Sequence, residues 1–420
     1  MKRKLMLFFA TWLAVQVYAE NENPEQKKID IVPFGGAQYS ILQFGNTTVA
    51  PSRDYQADSL RMIGFPMHTI NGSFGLRVGM GERIKLKFGY QAQIWHELLK
   101  SDQPMTKKLS SGISECRADF QFGSLEQPPV QVAFGYFKYR YAPEAQDLGE
   151  YLFNSGCYPG FVFSGWEGAN LLGVQTRVNA MEHFTHDIFL TTELFIIPAF
   201  DFSVSYIGHF IPGDMFTIGA GVMFNRLITI KETNTTPPKP VYNPADPSET
   251  AYYFTHRGIK VMGRAVFDPK PLFGKTKLGK EDLKLYAEAA ILGVENYPYL
   301  YEDITERVPV MVGLHLPAFN IVDILAAECE WYGSPHRNNP NNYESSGYAI
   351  PEGRFSAGDE DDIKWAVTAR KNILDGFSVM GRVASDHIRL KDGTGWVRDE
   401  QERTIAPDQW YWTLELKFEF

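Results

Sequence analysis

Cysteine is nearly missing from this chain: Cys116, Cys157 and Cys329 are all it has. A secreted fold held by disulfides carries more, in even number, and these three match no zinc-ligand spacing. Cys116 and Cys329 fall in strand-like stretches and Cys157 in a loop, where they read as small hydrophobes. After residue 19 no run of 18 apolar residues occurs, which excludes membrane-spanning helices. Enzyme signatures are absent as well: there is no G-x-S-x-G, no H-E-x-x-H and no glycine-rich phosphate loop. The "HFTH" segment (183–186) has an H-x-x-H spacing but lies at an expected turn with no third ligand. Ser205 and His209 share a strand face, yet residues so spaced stand ~13 Å apart in an extended chain, too far for a nucleophile and its base. No catalytic residue, metal or cofactor is therefore expected. Positive charge is in deficit, with 41 Lys and Arg against 50 Asp and Glu. That balance argues against nucleic acid as a partner.

What is present begins with an export signal. Lys2, Arg3 and Lys4 precede the apolar stretch Leu5 to Val17, and Val17-Tyr18-Ala19 fits a small-x-small cleavage site. Residues 1–19 are expected to be removed, leaving 20–420 as one domain. Loss of the three basic residues takes the net charge from −9 to −12.

The rest of the chain reads as short alternating segments. Sixteen strands of about ten residues are expected, near 33–44, 72–81, 83–97, 113–124, 130–140, 169–179, 186–197, 200–211, 216–231, 252–268, 282–295, 307–316, 321–333, 363–373, 376–390 and 408–420. Every second connection is brief and rich in turn formers: Gly81-Glu82, "SLEQPP", "IPGD", "LPAFN" (316–320) and "NILDG" (372–376), with 268–282 a longer exception. The intervening ones are mostly long and polar: 45–71, 98–112, 141–168, 232–251, 296–306, 334–362 and 391–407, with only "PAF" (198–200) short. Apolar residues at every second place (Phe74, Leu76, Val78, Met80; Ile84, Leu86, Phe88, Tyr90) alternate with Arg77, Lys85 and Lys87. Sixteen such strands in soluble sandwiches would need linkers that the chain lacks, whereas one closed barrel needs none and leaves no edge unpaired. The fold class expected is all-β: a transmembrane antiparallel β-barrel with short turns at one end and long loops at the other.

The last strand sharpens this. In "WYWTLELKFEF" (410–420), Trp410, Trp412, Leu414, Leu416, Phe418 and Phe420 share one face, and Tyr411, Thr413, Glu415, Lys417 and Glu419 the other. An alternating final strand that ends on Phe, behind a signal peptide, resembles the C-terminal signal of Gram-negative outer-membrane barrels, porins among them. The resemblance is close over 410–420 and loose elsewhere. It implies residence in the outer membrane among lipid and lipopolysaccharide, insertion by the barrel-assembly machinery through 410–420, and, for porins of this size, a homotrimer.

Sixteen strands enclose a lumen wide enough for water. By parity its basic residues are Arg77, Lys85, Lys87, Arg117, Arg177, Lys260, Arg264, Arg370 and Arg382. Its acidic residues are Asp119, Glu193, Asp201, Glu288, Glu328, Glu330, Glu415 and Glu419. Charges facing lipid would cost ~2–4 kcal/mol each at the midplane. They can pair across strands and hold the wall, or face a passage. Arg77, Lys85, Lys87 and Arg117 fall across the ring from Glu288, Glu328 and Glu330, an opposition that would orient polar solutes in a constriction.

The third long loop, "YRYAPEAQDLGEYLFNSGCYPGF" (139–161), is unusually apolar, and Glu144, Asp147 and Glu150 are spaced for one side of a short helix. It is expected either to fold into the lumen, as the third loop of sixteen-strand porins does, or to pack on the rim. "GDEDD" (358–362) reads as a solvated loop face, and "PPKPVYNPADP" (237–247) as a stiff loop without fixed secondary structure. The function expected is a porin-type channel for passive diffusion of small hydrophilic solutes or ions. A structural or surface-interaction barrel with a loop-filled lumen, and an anion-preferring channel drawing on Arg77, Lys85, Lys87 and Arg117, stay open beside it.

Overall fold

The structure, a computed structural model, describes residues 29–46, 67–97, 106–156 (except 125), 162–295 (except 165–167, 194–200, 229–238, 244, 255–256 and 275–276), 301–338 (except 337), 362–388 and 402–420 (except 403). The proposed signal peptide and Cys157 lie outside the described residues, and so does 358–361 of "GDEDD".

Among the described residues eighteen strands form: β1 (Ile29–Asn46), β2 (Met67–Met80), β3 (Ile84–Glu97), β4 (Thr106–Phe122), β5 (Val130–Tyr139), β6 (Ala169–Met181), β7 (Phe184–Glu193), β8 (Phe202–Phe210), β9 (Phe216–Ile228), β10 (Lys239–Asn243), β11 (Asp246–Phe254), β12 (Gly258–Phe267), β13 (Leu285–Ile291), β14 (Val310–His315), β15 (Ile324–Trp331), β16 (Ile363–Leu374), β17 (Phe377–Ser385) and β18 (Trp410–Glu419). Sixteen of them close one antiparallel barrel, each strand beside its sequence neighbour, with β18 returning to β1. Closure is in register from Gly36 opposite Glu419 to Phe44 opposite Tyr411, with an irregularity before Asn46 opposite Trp410. It ends on a reciprocal backbone pair, Gly35 N to Phe420 O (3.1 Å) and Phe420 N to Gly35 O (2.9 Å).

The remaining two strands correct one expectation. Residues 237–247 were expected to lack fixed secondary structure, but β10 and β11 pair as a separate hairpin within the connection from β9 to β12. Side chains fold its turn: Asn243 Oδ1 accepts the Ala245 amide (2.9 Å) and Asp246 Oδ1 the Ser248 amide (3.0 Å). The expected strand 252–268 is accordingly shorter, and its first residues belong to the hairpin.

Period-two patterning decides which face is which. Phe74, Leu76 and Met80 on β2, Leu86, Phe88 and Tyr90 on β3, Phe216, Ile218 and Phe224 on β9, and Leu414, Leu416 and Phe418 on β18 all point outward and stay exposed. An apolar surface that continues around a closed cylinder is stable against lipid, not water. Aromatic pairs mark its short-turn end: Phe184 stacks on Phe210, Phe216 on Phe267, and Phe418 lies 6.2 Å from Phe420. Cys116 and Cys329 are also on this outward face, both exposed. Among the described residues no helix is long and apolar enough to cross a membrane; the strands make the crossing.

Candidate functional site: a half-filled lumen

Inside the barrel the two halves differ. From β5 to β14 many inward positions are apolar: Phe137, Leu171, Phe189, Ile207, Met223, Met262 and Met311 are buried in one cluster. What covers them is the connection after β5. Tyr141, Leu148, Tyr151, Leu152 and Phe153 of that loop belong to the same cluster. Tyr139, Phe153 and Phe189 meet edge to face at 4.7–5.7 Å, the favoured geometry for aromatic rings.

The loop is bound by the wall's charges. Glu288 of β13 accepts the Tyr141 hydroxyl (2.6 Å) and the amides of Glu150 (3.1 Å) and Tyr151 (2.8 Å). Glu328 of β15 accepts three successive amides, Gln146 (2.5 Å), Asp147 (2.8 Å) and Leu148 (3.1 Å), besides the Tyr286 hydroxyl (2.7 Å). Glu330 accepts the Tyr151 hydroxyl (2.7 Å). Converging amides around a carboxylate form an anion-binding concavity. Here the anion belongs to the wall and the concavity to the loop.

Cations complete the grip. Arg264 of β12 donates to the Tyr141 carbonyl (2.9 Å) and pairs with Glu144. Lys260 donates to the carbonyls of Leu152 (3.3 Å) and Ser155 (3.1 Å). Arg382 of β17 pairs with Asp147 at 2.9 Å. Arg140 and Glu150 pair at 3.0 Å within the loop, and Glu150 also takes the amides of Tyr141 (2.6 Å) and Ala142 (3.0 Å).

The three loop carboxylates thus go to three different arginines and not along one helix face. Residues 144–150 form bends and turns. Their amides are taken by Glu328 and Glu288, so no helical ladder can use them, and Gly149 and Glu150 both have positive φ (89° and 57°). The φ of Gly149 is what favours glycine there, and a Cβ would in addition displace the Met311 methyl, 2.7 Å away. Burial pushes Asp147 well above the usual carboxylate range, against the pull of Arg382 and with Asp386 adding to the push. Burial also raises Glu150, opposed by Arg140 and the amides of Ala142 and Tyr141.

A second tie joins the loops at the long-loop end. His387 lies between Glu330 (2.6 Å) and Glu402 (3.2 Å), and Glu402 also pairs with Lys364 (2.6 Å). Burial alone would lower the His387 pKa, but the two carboxylates overcome it and raise the value to about 9. Asn338 contacts both His387 and Glu402 and exchanges two hydrogen bonds with the Val162 backbone (2.9 and 3.0 Å). Neither this cluster nor the loop's amide contacts had a signal in residue spacing, since both join positions far apart in the chain.

The other half of the interior is different. Arg77, Lys87 and Arg117 are direct cross-strand neighbours on β2, β3 and β4. Like charges in register destabilise a sheet. Lys87 pairs with Glu115 (2.5 Å) and Arg117 with Asp119 (2.7 Å), while Arg77 has no carboxylate partner among the described residues. Lys85 is exposed one step nearer the turn, opposite Asp119. Exposure separates the halves: Lys260, Arg264, Glu288, Glu328, Glu330 and Arg382 are each 6 % exposed or less, whereas Lys87 and Arg117 keep 33 % and 26 %.

Glu288, Glu328 and Glu330 therefore face inward across the ring from the basic row but lie beneath the loop, whose own Glu144, Asp147 and Glu150 are buried against the wall. Arg177 makes two hydrogen bonds to buried Asp187 (2.9 and 2.8 Å). Arg370 is half-buried near the short-turn end of β16, opposite Ile324 and Met380. Among the described residues no group of three or more His, Cys, Asp and Glu side chains could hold a metal ion.

No family model matches the chain, and no curated protein matches it either. Among solved structures it is similar to a mutant of the Rh. blastica porin, at 9 % identity and a TM-score of 0.45, over 93 % of this chain and 100 % of that one. It is also similar to OprB of Pseudomonas putida in its high-pH structure, at 10 % identity and a TM-score of 0.46, over 94 % of each chain. Neither likeness carries a residue's role across to this chain.

Proposed function

We propose that this chain is an outer-membrane channel of the porin type, through which small hydrophilic solutes diffuse passively, and that its passage favours anions. The observation that carries the reading is the division of the lumen. One half is packed with a loop whose charges are neutralised and buried. The remainder, β1–β4, is a wall with water access where Arg77, Lys87 and Arg117 stand in register, the last two beside Glu115 and Asp119. Solutes would then pass along β1–β4, sieved by the remaining width and steered by that row. The reading includes export through residues 1–19, insertion through strand 410–420, residence among lipid and lipopolysaccharide, and assembly as a homotrimer. It includes no catalysis.

The filled half also favours a second reading, a structural or surface-interaction barrel whose lumen is blocked by its loops. Planar-bilayer recording under a salt gradient separates the two. Discrete conductance steps with a reversal potential on the anion side are expected. The triple variant Arg77→Ala, Lys87→Ala, Arg117→Ala is expected to move that potential toward cations without abolishing the steps. A folded, inserted protein that gives no steps would sink the channel reading.

A further inference from the structure

The exposed wall has a second component besides its cations. Two residues further from the turns than the basic row lies Phe34, opposite Gly75, with Gly89 beyond it. A Cβ at Gly75 would sit 2.3 Å from the Phe34 ring, so the glycine is what lets the ring lie flat across β2. That ring stands 5.0 Å from the Lys87 ammonium and 5.8 Å from the Arg77 guanidinium. Cation–π attraction to a shared ring holds two like charges side by side that would otherwise part.

The Phe34 row ends on Glu115 of β4, and the next two rows on β1–β4 carry no charge. Gly36, Ser73, Gln91 and Gly112 are in register, and the next row is Gln38, Asn71, Gln93 and Ser110. Gln38 donates to Glu415 of β18 (2.8 Å), which fixes its amide in the plane of the wall. Rows two residues apart are ~7 Å apart, so the amides and the cations lie within ~20 Å along one face.

Amides and hydroxyls both donate and accept. They suit a solute with several hydroxyl groups, and an inorganic anion gains little from two rows of them. A neutral polyol gains nothing from Arg77, which has no carboxylate partner among the described residues, or from Lys87 and Arg117 beside it, each held by one carboxylate. Only a solute with both features uses the whole wall.

We infer that the β1–β4 wall is a recognition track for sugars that carry one anionic group, a carboxylate or a phosphate, with the Gln38 and Ser73 rows meeting hydroxyls and the Arg77–Lys87–Arg117 row meeting the anion. Phe34 acts as a positioning residue, setting the two cations. The inference rests on the channel reading and names its substrate class.

The test is solute-induced interruption of single-channel current by glucuronate, glucose 6-phosphate, glucose, acetate and inorganic phosphate, each added on the long-loop side. Glucuronate, glucose 6-phosphate or both are expected to interrupt the current at concentrations about tenfold or more below those of the other three. Response to one acid alone assigns the track to carboxylates or to phosphates. Asn71→Ala with Gln93→Ala should raise the half-blocking concentration of the acidic sugar and of glucose, and leave acetate and phosphate unchanged. Phe34→Leu should weaken the acidic sugar and acetate together and leave glucose unchanged. Heat-modifiable migration in gel-shift assays shows that each variant is folded. The inference is overturned if glucose matches the acidic sugars, if acetate matches them, or if the amide variants behave as the parent. Absence of all conductance overturns the channel reading first, and this one with it.

Discussion

Arg382 shows what a single buried charge does here. It faces Asp147 of the loop from the barrel wall, with Asp386 beside the pair, and Asp386 in turn accepts the Tyr411 hydroxyl at 2.6 Å. Removing one partner of such a pair costs about 3–5 kcal/mol, because the remaining charge stays buried without compensation. Arg382→Gln should therefore release the loop, seen as new protease cleavage within 144–150 in the folded barrel. Asp147→Asn should release it less, since Asp386 and Glu415 remain to balance the guanidinium. His387 gives the pH dependence. Its pKa lies above its ordinary value of 6.5, at about 9. Its pairs with Glu330 and Glu402 thus contribute fully below about pH 6.5 and fade as pH rises through 9. Hydrogen exchange at 386–388, 402 and 404 should accelerate over that interval beyond its intrinsic pH dependence, and His387→Gln should remove the excess.

At the scale of elements, the outward face was legible and the loop's conformation was not. Strands such as β2, β3 and β18 alternate strictly because one side meets lipid and the other water, so period two places every residue. Beneath the loop that rule weakens. β7 runs Ile188-Phe189-Leu190 without a break, because Phe189 packs under Tyr139 and Phe153 while its neighbours face out. A strand apolar on both faces is the sign of burial on both, and that run was the available hint of a filled lumen. The helix expected at 144–150 failed for a physical reason: charge spacing ignored competition for the amides, which Glu328 and Glu288 win. Glu328→Ala strips the acceptor from three successive amides and the Tyr286 hydroxyl. It should raise conductance and current noise while the barrel stays folded, whereas Glu328→Gln, which keeps an acceptor, should do so less.

For the whole molecule, Phe420 extends the closing seam beyond the ten paired positions of β1 and β18. Phe420 makes both backbone bonds to Gly35 and touches it with its ring. Deleting Phe420 should reduce the yield of folded, heat-modifiable barrel in gel-shift assays; Phe420→Tyr should not. Ring order and strand count followed from the sequence because sequential antiparallel pairing leaves one arrangement. The division of the lumen did not, because it depends on contacts between residues 141–155 and positions more than a hundred residues later.

Those contacts also set an order in time. The loop after β5 is held by Lys260, Arg264, Glu288, Glu328 and Arg382, and its neighbour cluster by His387 and Glu402. None of these exists as a partner until most of the ring has assembled, and loop closure over such separations is slow. The wall is therefore expected to close before its interior fills, with the loop settling last onto carboxylates that until then face water.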